Sequence, residues 1–183
     1  MENKVLALIA GFIAMSLVAT SYFVKKKSVY LLFQAFCIVF LITSYFFTVQ
    51  FFAMVGLGVG LMRTTIYFLY EKKDVQTPIW IAYALAVITV ASYFIVNFWI
   101  LENANPIDGL LVISLILYVF IFRIRDLKTV RFTMLMPTTL SILYNALSGA
   151  ALFVSLTYVF ELTANVVSIY KYHILPNGKK EQL

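Results

Sequence analysis

An all-α membrane protein with seven transmembrane helices, arranged 3+1+3 as two parallel three-helix bundles around a linker helix, is the fold class this sequence predicts. Three observations predict it. First, 63% of the 183 residues are hydrophobic and only 12% are charged, with a mean hydropathy of +0.95, which leaves too little polar surface to keep a globule in water. Second, apolar stretches of membrane-spanning character follow one another along almost the whole chain. Third, lysine and arginine cluster in alternate connections between those stretches.

The stretches are Val5 to Val24, Val29 to Val49, Phe51 to Tyr70, Ile79 to Leu101, Ile107 to Phe122, Phe132 to Leu147 and Ala150 to Tyr170. The first is too long for the apolar part of a signal peptide, lacks a small-residue cleavage site, and has its basic cluster Lys25, Lys26 and Lys27 after it, so it is read as a retained span. From Val29 to Tyr70 the only charge is Arg63, yet a single helix of that length would be about twice the roughly 30 Å hydrocarbon thickness. The chain is therefore expected to turn back at Thr48-Val49-Gln50. By the same argument the run from Phe132 to Tyr170 breaks at Asn145-Ala146-Leu147-Ser148-Gly149, where Asn, Ser and Gly supply turn chemistry. Trp80 and Trp99 bracket the fourth span at a separation of roughly 28 Å along a helix, the spacing of two interfacial anchors.

Charge placement orients the layout. Loops one, three and five carry Lys25 to Lys27, Lys72 with Lys73, and Arg123, Arg125, Lys128 and Arg131; the tail carries Lys171, Lys179 and Lys180. Lys4, two nearly uncharged turns and the acidic loop with Glu102 and Asp108 fall on the opposite side. The positive-inside rule then places the N-terminus outside and the C-terminus in the cytoplasm. Loop and turn positions recur with an offset near one hundred residues, which divides the chain into a first three-helix bundle at 1–74, a linker helix at 75–105, a second bundle at 106–173 and a cytoplasmic tail at 174–183.

Composition also excludes function classes. Cys37 is the only cysteine and reads as a small core residue; His173 is the only histidine, and no His, Cys and carboxylate cluster or nucleophile motif is present. The chain is not expected to be an enzyme or to need a cofactor or metal. The formal charge of +6 is accounted for by the basic loops and gives no support to nucleic-acid binding. Tyrosine and phenylalanine are spread over all spans and read as lipid-facing and packing surface.

Two charges lie deep inside spans, Arg63 in the third and Glu161 in the seventh. A charge at mid-bilayer costs roughly 2.5 to 3.5 kcal/mol on insertion scales, so each should face a bundle interior or wet cavity, and the two are expected to approach each other. Helical spacing puts Gly56, Gly60, Arg63 and Tyr67 on one stripe and Thr157, Glu161, Asn165 and Ser168 on another, both facing inward. The two glycines also read simply as sites of close helix packing. Tyr144, Asn145, Thr64 and Ser16 add neutral donors and acceptors, and Pro137, beside Thr138 and Thr139, can bend the sixth span.

The segments Gly60-Leu61-Met62-Arg63-Thr64, Tyr144-Asn145 and Asn165 to Lys171 resemble the YgjV-like family of bacterial inner-membrane proteins, relatives of the SWEET, PQ-loop and PnuC-type membrane folds. The match departs from the family pattern at Gly60, where an Asn is usual, and at Lys171, where an Arg is usual. The resemblance implies a three-one-three fold and movement of a small metabolite. The reading that follows is a SWEET-like facilitator of a small polar metabolite, with a midplane site of Arg63, Glu161, Asn165, Asn145, Tyr144, Thr157 and Ser168 between the repeats. The alternative is a non-transporting membrane receptor or assembly partner in which Arg63 and Glu161 form a structural ion pair. A channel is disfavoured by the lack of a filter signature. The partners implied are the lipid bilayer, a small polar metabolite and a second copy of the chain.

Overall fold

The computed structural model describes residues 2–48, 51–100, 105–148 and 152–175, and among them the chain is a succession of seven α-helices with two short π-helical extensions. These are α1 (Glu2–Ser21), α2 (Lys27–Thr48), α3 (Phe51–Lys72), α4 (Ile79–Phe94), α5 (Asp108–Arg123), α6 (Leu127–Ser148) and α7 (Leu152–Ile169). Val49, Gln50, Glu102, Gly149, Lys179 and Lys180, and the side chains of Lys4 and Trp99, lie outside the described residues.

Three helical segments, Lys27–Phe47, Ala53–Lys72 and Ile79–Phe98, are long and apolar enough to cross a membrane, and Val5–Ser21 is a shorter apolar helix. Side-chain placement is inverted relative to a water-soluble bundle. Phe12, Phe36, Phe46 and Val87 are exposed, whereas Arg63, Glu161, Asn145 and Asn165 are buried. Lipid reverses the usual sorting, because apolar side chains lose nothing on the outside while polar groups must find partners within.

Helix α1 packs on α2 and α2 on α3; α5 packs on α6 and α6 on α7. The two triplets meet along α1–α7 and α3–α5, so six helices form a ring, and α4 lies outside it against α3 and α5. Corresponding hydrogen bonds stitch both seams. Tyr67 of α3 donates to the Val119 carbonyl of α5 at 2.8 Å, and Ser168 of α7 donates to the Tyr22 carbonyl beyond α1 at 2.7 Å.

Two expectations about element boundaries need correction. The basic residues Lys128 and Arg131 belong to α6 rather than to a loop, because Asp126 caps the helix: its carboxylate accepts from the backbone N–H groups of Lys128 (3.2 Å) and Thr129 (2.9 Å) and from the Thr129 hydroxyl (2.6 Å). Asn145 to Ser148 continue α6; Asn145 donates to the Ser141 carbonyl at 2.7 Å and so satisfies itself within the helix instead of turning the chain. Pro137 is held inside α6, and its own carbonyl accepts a 2.8 Å bond from Ser114 of α5. Beyond Phe94 the fourth helix loosens into a π segment, Ile95–Ile100, where the Asn97 amide takes the Tyr93 carbonyl at 3.2 Å. The end of α3 is a left-handed cap: Asp74 has φ of 55°, with Asp74 N–H bonding Glu71 O at 3.0 Å and Val75 N–H bonding Tyr70 O at 3.1 Å.

The Asp126 cap makes a testable contribution. The hydrogen bonds from Thr129 hold its carboxyl below the usual carboxylate range. A carboxylate depressed in the folded state stabilises above its unfolded pKa, and that contribution is lost as pH falls through the folded value. Asp126→Ala should cost about 1 kcal/mol in reversible unfolding at neutral pH, and Asp126→Asn much less. On acidification the gap between wild type and Asp126→Asn should narrow.

Candidate functional site

The helices of the ring line a partly open cavity of about 40 Å³ between the two halves. Both halves contribute: Gln34, Cys37, Gly60 and Arg63 from one, Ser141, Thr157 and Glu161 from the other. Because a water needs roughly 10 to 15 Å³ of such space, the cavity has room for a few waters and none for a metabolite.

Arg63 and Glu161 are each 4% exposed and both line this cavity. Among the described residues no ion pair joins them; the ion pairs present are Lys27 with Glu71 at 2.9 Å and Arg125 with Asp74. The expected approach therefore stops at a shared cavity. The Arg63 guanidinium instead sits over the rings of Tyr118 and Phe122, 5.2 and 4.8 Å from their centroids. Its Nη1 makes a long 3.4 Å bond to the Leu115 carbonyl and its buried Nε has no partner. Cation–π contact holds the charge without consuming its donors. Glu161 accepts a 2.8 Å bond from the Tyr22 hydroxyl, and the Tyr30 hydroxyl lies 3.5 Å from that of Tyr22.

The glycine stripe divides. A Cβ at Gly56 would come within 3.1 Å of Leu115, so this position sets a close α3–α5 approach; at Gly60 the nearest atom, Nη2 of Arg63, would be 3.6 Å away, so that glycine leaves space beside the guanidinium.

Of the remaining expected site residues, Thr157 lines the cavity. Asn145 is buried beyond it, where the Tyr45 hydroxyl donates to its Oδ1 at 3.4 Å across the ring from a position 100 residues earlier. Tyr144 packs with Leu111 and Leu115 of α5. Asn165 and Ser168 stand at the opposite end, where the Asn165 amide donates to the Arg131 carbonyl at 2.8 Å and Ser168 holds the Tyr22 carbonyl. Thr64 is buried and bonds the Gly60 carbonyl at 2.8 Å, whereas Ser16 is exposed and bonds Phe12 of its own helix at 3.0 Å, so Ser16 faces outward.

Sequence reasoning placed Tyr67 and Tyr144 inside but missed Tyr22, Tyr30, Tyr45, Tyr118, Tyr158 and Arg131. Tyr22, Tyr30, Tyr45, Tyr67, Tyr118 and Tyr158 are buried, whereas many phenylalanines are exposed. A hydroxyl that lipid cannot satisfy turns inward, and that difference between the two aromatics was available as a signal. Arg131 is 4% exposed, and its Nη2 donates to the carbonyls of Tyr22 and Val24 at 2.9 Å each. It satisfies the end of α1 from the first turns of α6.

An α-helical ring with an apolar exterior and several charged side chains buried within it is the pattern of an integral membrane protein. A family model described as bacterial inner membrane protein, Imp-YgjV, matches residues 5–175, and the chain belongs to that family. Comparison with curated proteins and with solved structures returned no match.

Proposed function

We propose that this protein is a carrier for a small polar solute, its seven helices all crossing the inner membrane with the N-terminus outside and the C-terminus in the cytoplasm. The observation that carries the reading is that Arg63 and Glu161 line one cavity from opposite halves without pairing. Buried charges kept apart retain their capacity for a visiting group, whereas a structural ion pair would have closed on itself. The receptor or assembly reading loses its motivating contact for the same reason.

On this reading the cavity of about 40 Å³ is a closed state. Ligand pockets for small molecules generally run to hundreds of Å³, so admission of a solute requires the halves to part along the α1–α7 or the α3–α5 seam. The aromatic layer of Tyr22, Tyr30 and Phe122 lies toward the basic end, and Tyr45 with Asn145 toward the other.

Thermal unfolding of the purified, detergent-solubilised protein across a panel of metabolites tests the proposal. A concentration-dependent rise for one chemical class, lost in Glu161→Gln, is the expected result. Absence of any response from well-folded wild type would overturn it and favour the receptor reading.

A further inference from the structure

We propose that Glu161 is a protonation site, exchanging one proton with water in the central cavity, and that its protonation prepares Arg63 to receive an anionic group. The inference rests on the carrier reading and deepens it: the coupling ion is a proton and the solute carries a carboxylate or comparable anion.

The geometry around Glu161 supports this. Its carboxyl is buried, lines a cavity with room for a few waters and accepts from a neutral donor, Tyr22, at 2.8 Å; among the described residues no cation forms an ion pair with it. A carboxylate so placed is poorly stabilised when ionised, while the cavity beside it has room for water to take its proton and Arg63 faces the same space at longer range. The titratable groups that feel its charge are Tyr22 from the end of α1, Tyr30 and Cys37 from α2, Arg63 from α3, Tyr118 from α5 and Tyr158 from α7. Arg63 is the one cation among them. Tyrosine and cysteine are neutral in their protonated forms, so the net charge of the cavity is set by Glu161 alone: zero when it is ionised and plus one when it is protonated.

Tyr22 is held for this role. Its carbonyl is clamped by Arg131 and Ser168, while its hydroxyl points to Oε1 of Glu161. When the carboxyl takes up a proton, Tyr22 still donates to it, and the new O–H can donate to cavity water; Gln34, Ser141 and Thr157 line the same space. On release the proton returns to that water. An arriving anion interacts favourably with Arg63 only once the carboxylate charge is removed, and by linkage an anion bound at Arg63 raises the proton affinity of Glu161.

Infrared difference spectroscopy of the full chain in lipid nanodiscs, titrated from mildly acidic to mildly alkaline pH, tests the site without any solute. A protonated-carboxyl band that titrates in wild type and in Glu71→Gln but is absent from Glu161→Gln is expected. Tyr22→Phe, which loses the donor but keeps the carboxyl, should shift the frequency of that band without abolishing it. A band that persists in Glu161→Gln, or a carboxylate ionised throughout, overturns the proton site. Acetate serves as the anion probe: it should move the midpoint to higher pH in wild type and not in Arg63→Gln, and an unmoved wild-type midpoint overturns the anion coupling. Since the titration needs no solute, a titrating band with no metabolite response would sink the carrier reading alone, and the reverse pattern the proton site alone.

Discussion

Arg131→Ala should be the most destabilising single substitution outside the cavity, lowering stability by roughly 3 kcal/mol or more, because two charge-assisted hydrogen bonds are each worth about 1.5 to 3 kcal/mol. The guanidinium spans two carbonyls, Tyr22 and Val24, at 2.9 Å each and also lies 5.0 Å from the ring centroid of Tyr172. No other residue of α6 reaches the end of α1 through hydrogen bonds of this kind among the described residues. Lysine preserves the charge and can donate to both carbonyls, which a single nitrogen, Nη2, serves here, but it lacks the planar group that lies against Tyr172 and whose Nη1 meets His173 at 3.2 Å, so Arg131→Lys should recover only part of the loss. Reversible unfolding in nanodiscs measures this, with exposed Lys128→Ala as the surface control. Equal stability of Arg131→Ala and wild type would mean that the α1 carbonyls find other donors. The same clamp fixes Tyr22, so Arg131→Ala should also loosen the hydroxyl that Glu161 accepts.

The second large effect is an opposition between stability and function. The double variant Arg63→Met with Glu161→Gln removes both charges that line the cavity, retains an acceptor for Tyr22, and keeps a side chain that can lie against Tyr118 and Phe122. Replacing buried charges by neutral or apolar groups of similar volume is neutral or stabilising by about 1 to 4 kcal/mol. The double variant should therefore unfold at or above the wild-type temperature while losing every solute-dependent response. A drop of several kcal/mol would show that the charges hold the two halves in register and would restore the structural reading. Arg63→Met alone should fare worse than the double variant, because it leaves the Glu161 carboxyl without the one cation that shares its cavity.

Particular residues show where the sequence was legible. Arg63 and Glu161 were found because a charge inside an apolar run is conspicuous, and helical spacing then put Gly60 and Thr157 beside them correctly. Asn165 and Ser168, on the same stripe as Glu161, face inward as spacing requires but reach the Arg131 and Tyr22 carbonyls beyond the cavity. A stripe along a helix specifies a face and not a depth. Asn145 reads in the sequence as turn chemistry because its side chain can serve a turn or its own helix equally, and only the packing of α6 against α5 and α7 decides between them. The charge of Arg131 by itself points to a loop, although Asp126 with Thr129 three residues on is a readable cap.

The sequence by itself determined the solvent and the local order. An apolar fraction of 63% requires lipid, and breaks in hydropathy mark where helices change, since backbone groups in a bilayer must bond within their own helix. Family membership over residues 5–175 is likewise a property of the sequence. Only the tertiary structure decided which polar groups meet. Arg63 comes to rest on two aromatic rings and Glu161 under the Tyr22 hydroxyl, with a small cavity between them instead of an ion pair. Those partners come from α5 and α1, far away along the chain, and contacts between distant helices depend on how ridges, rings and glycines pack, which periodicity along one helix does not encode.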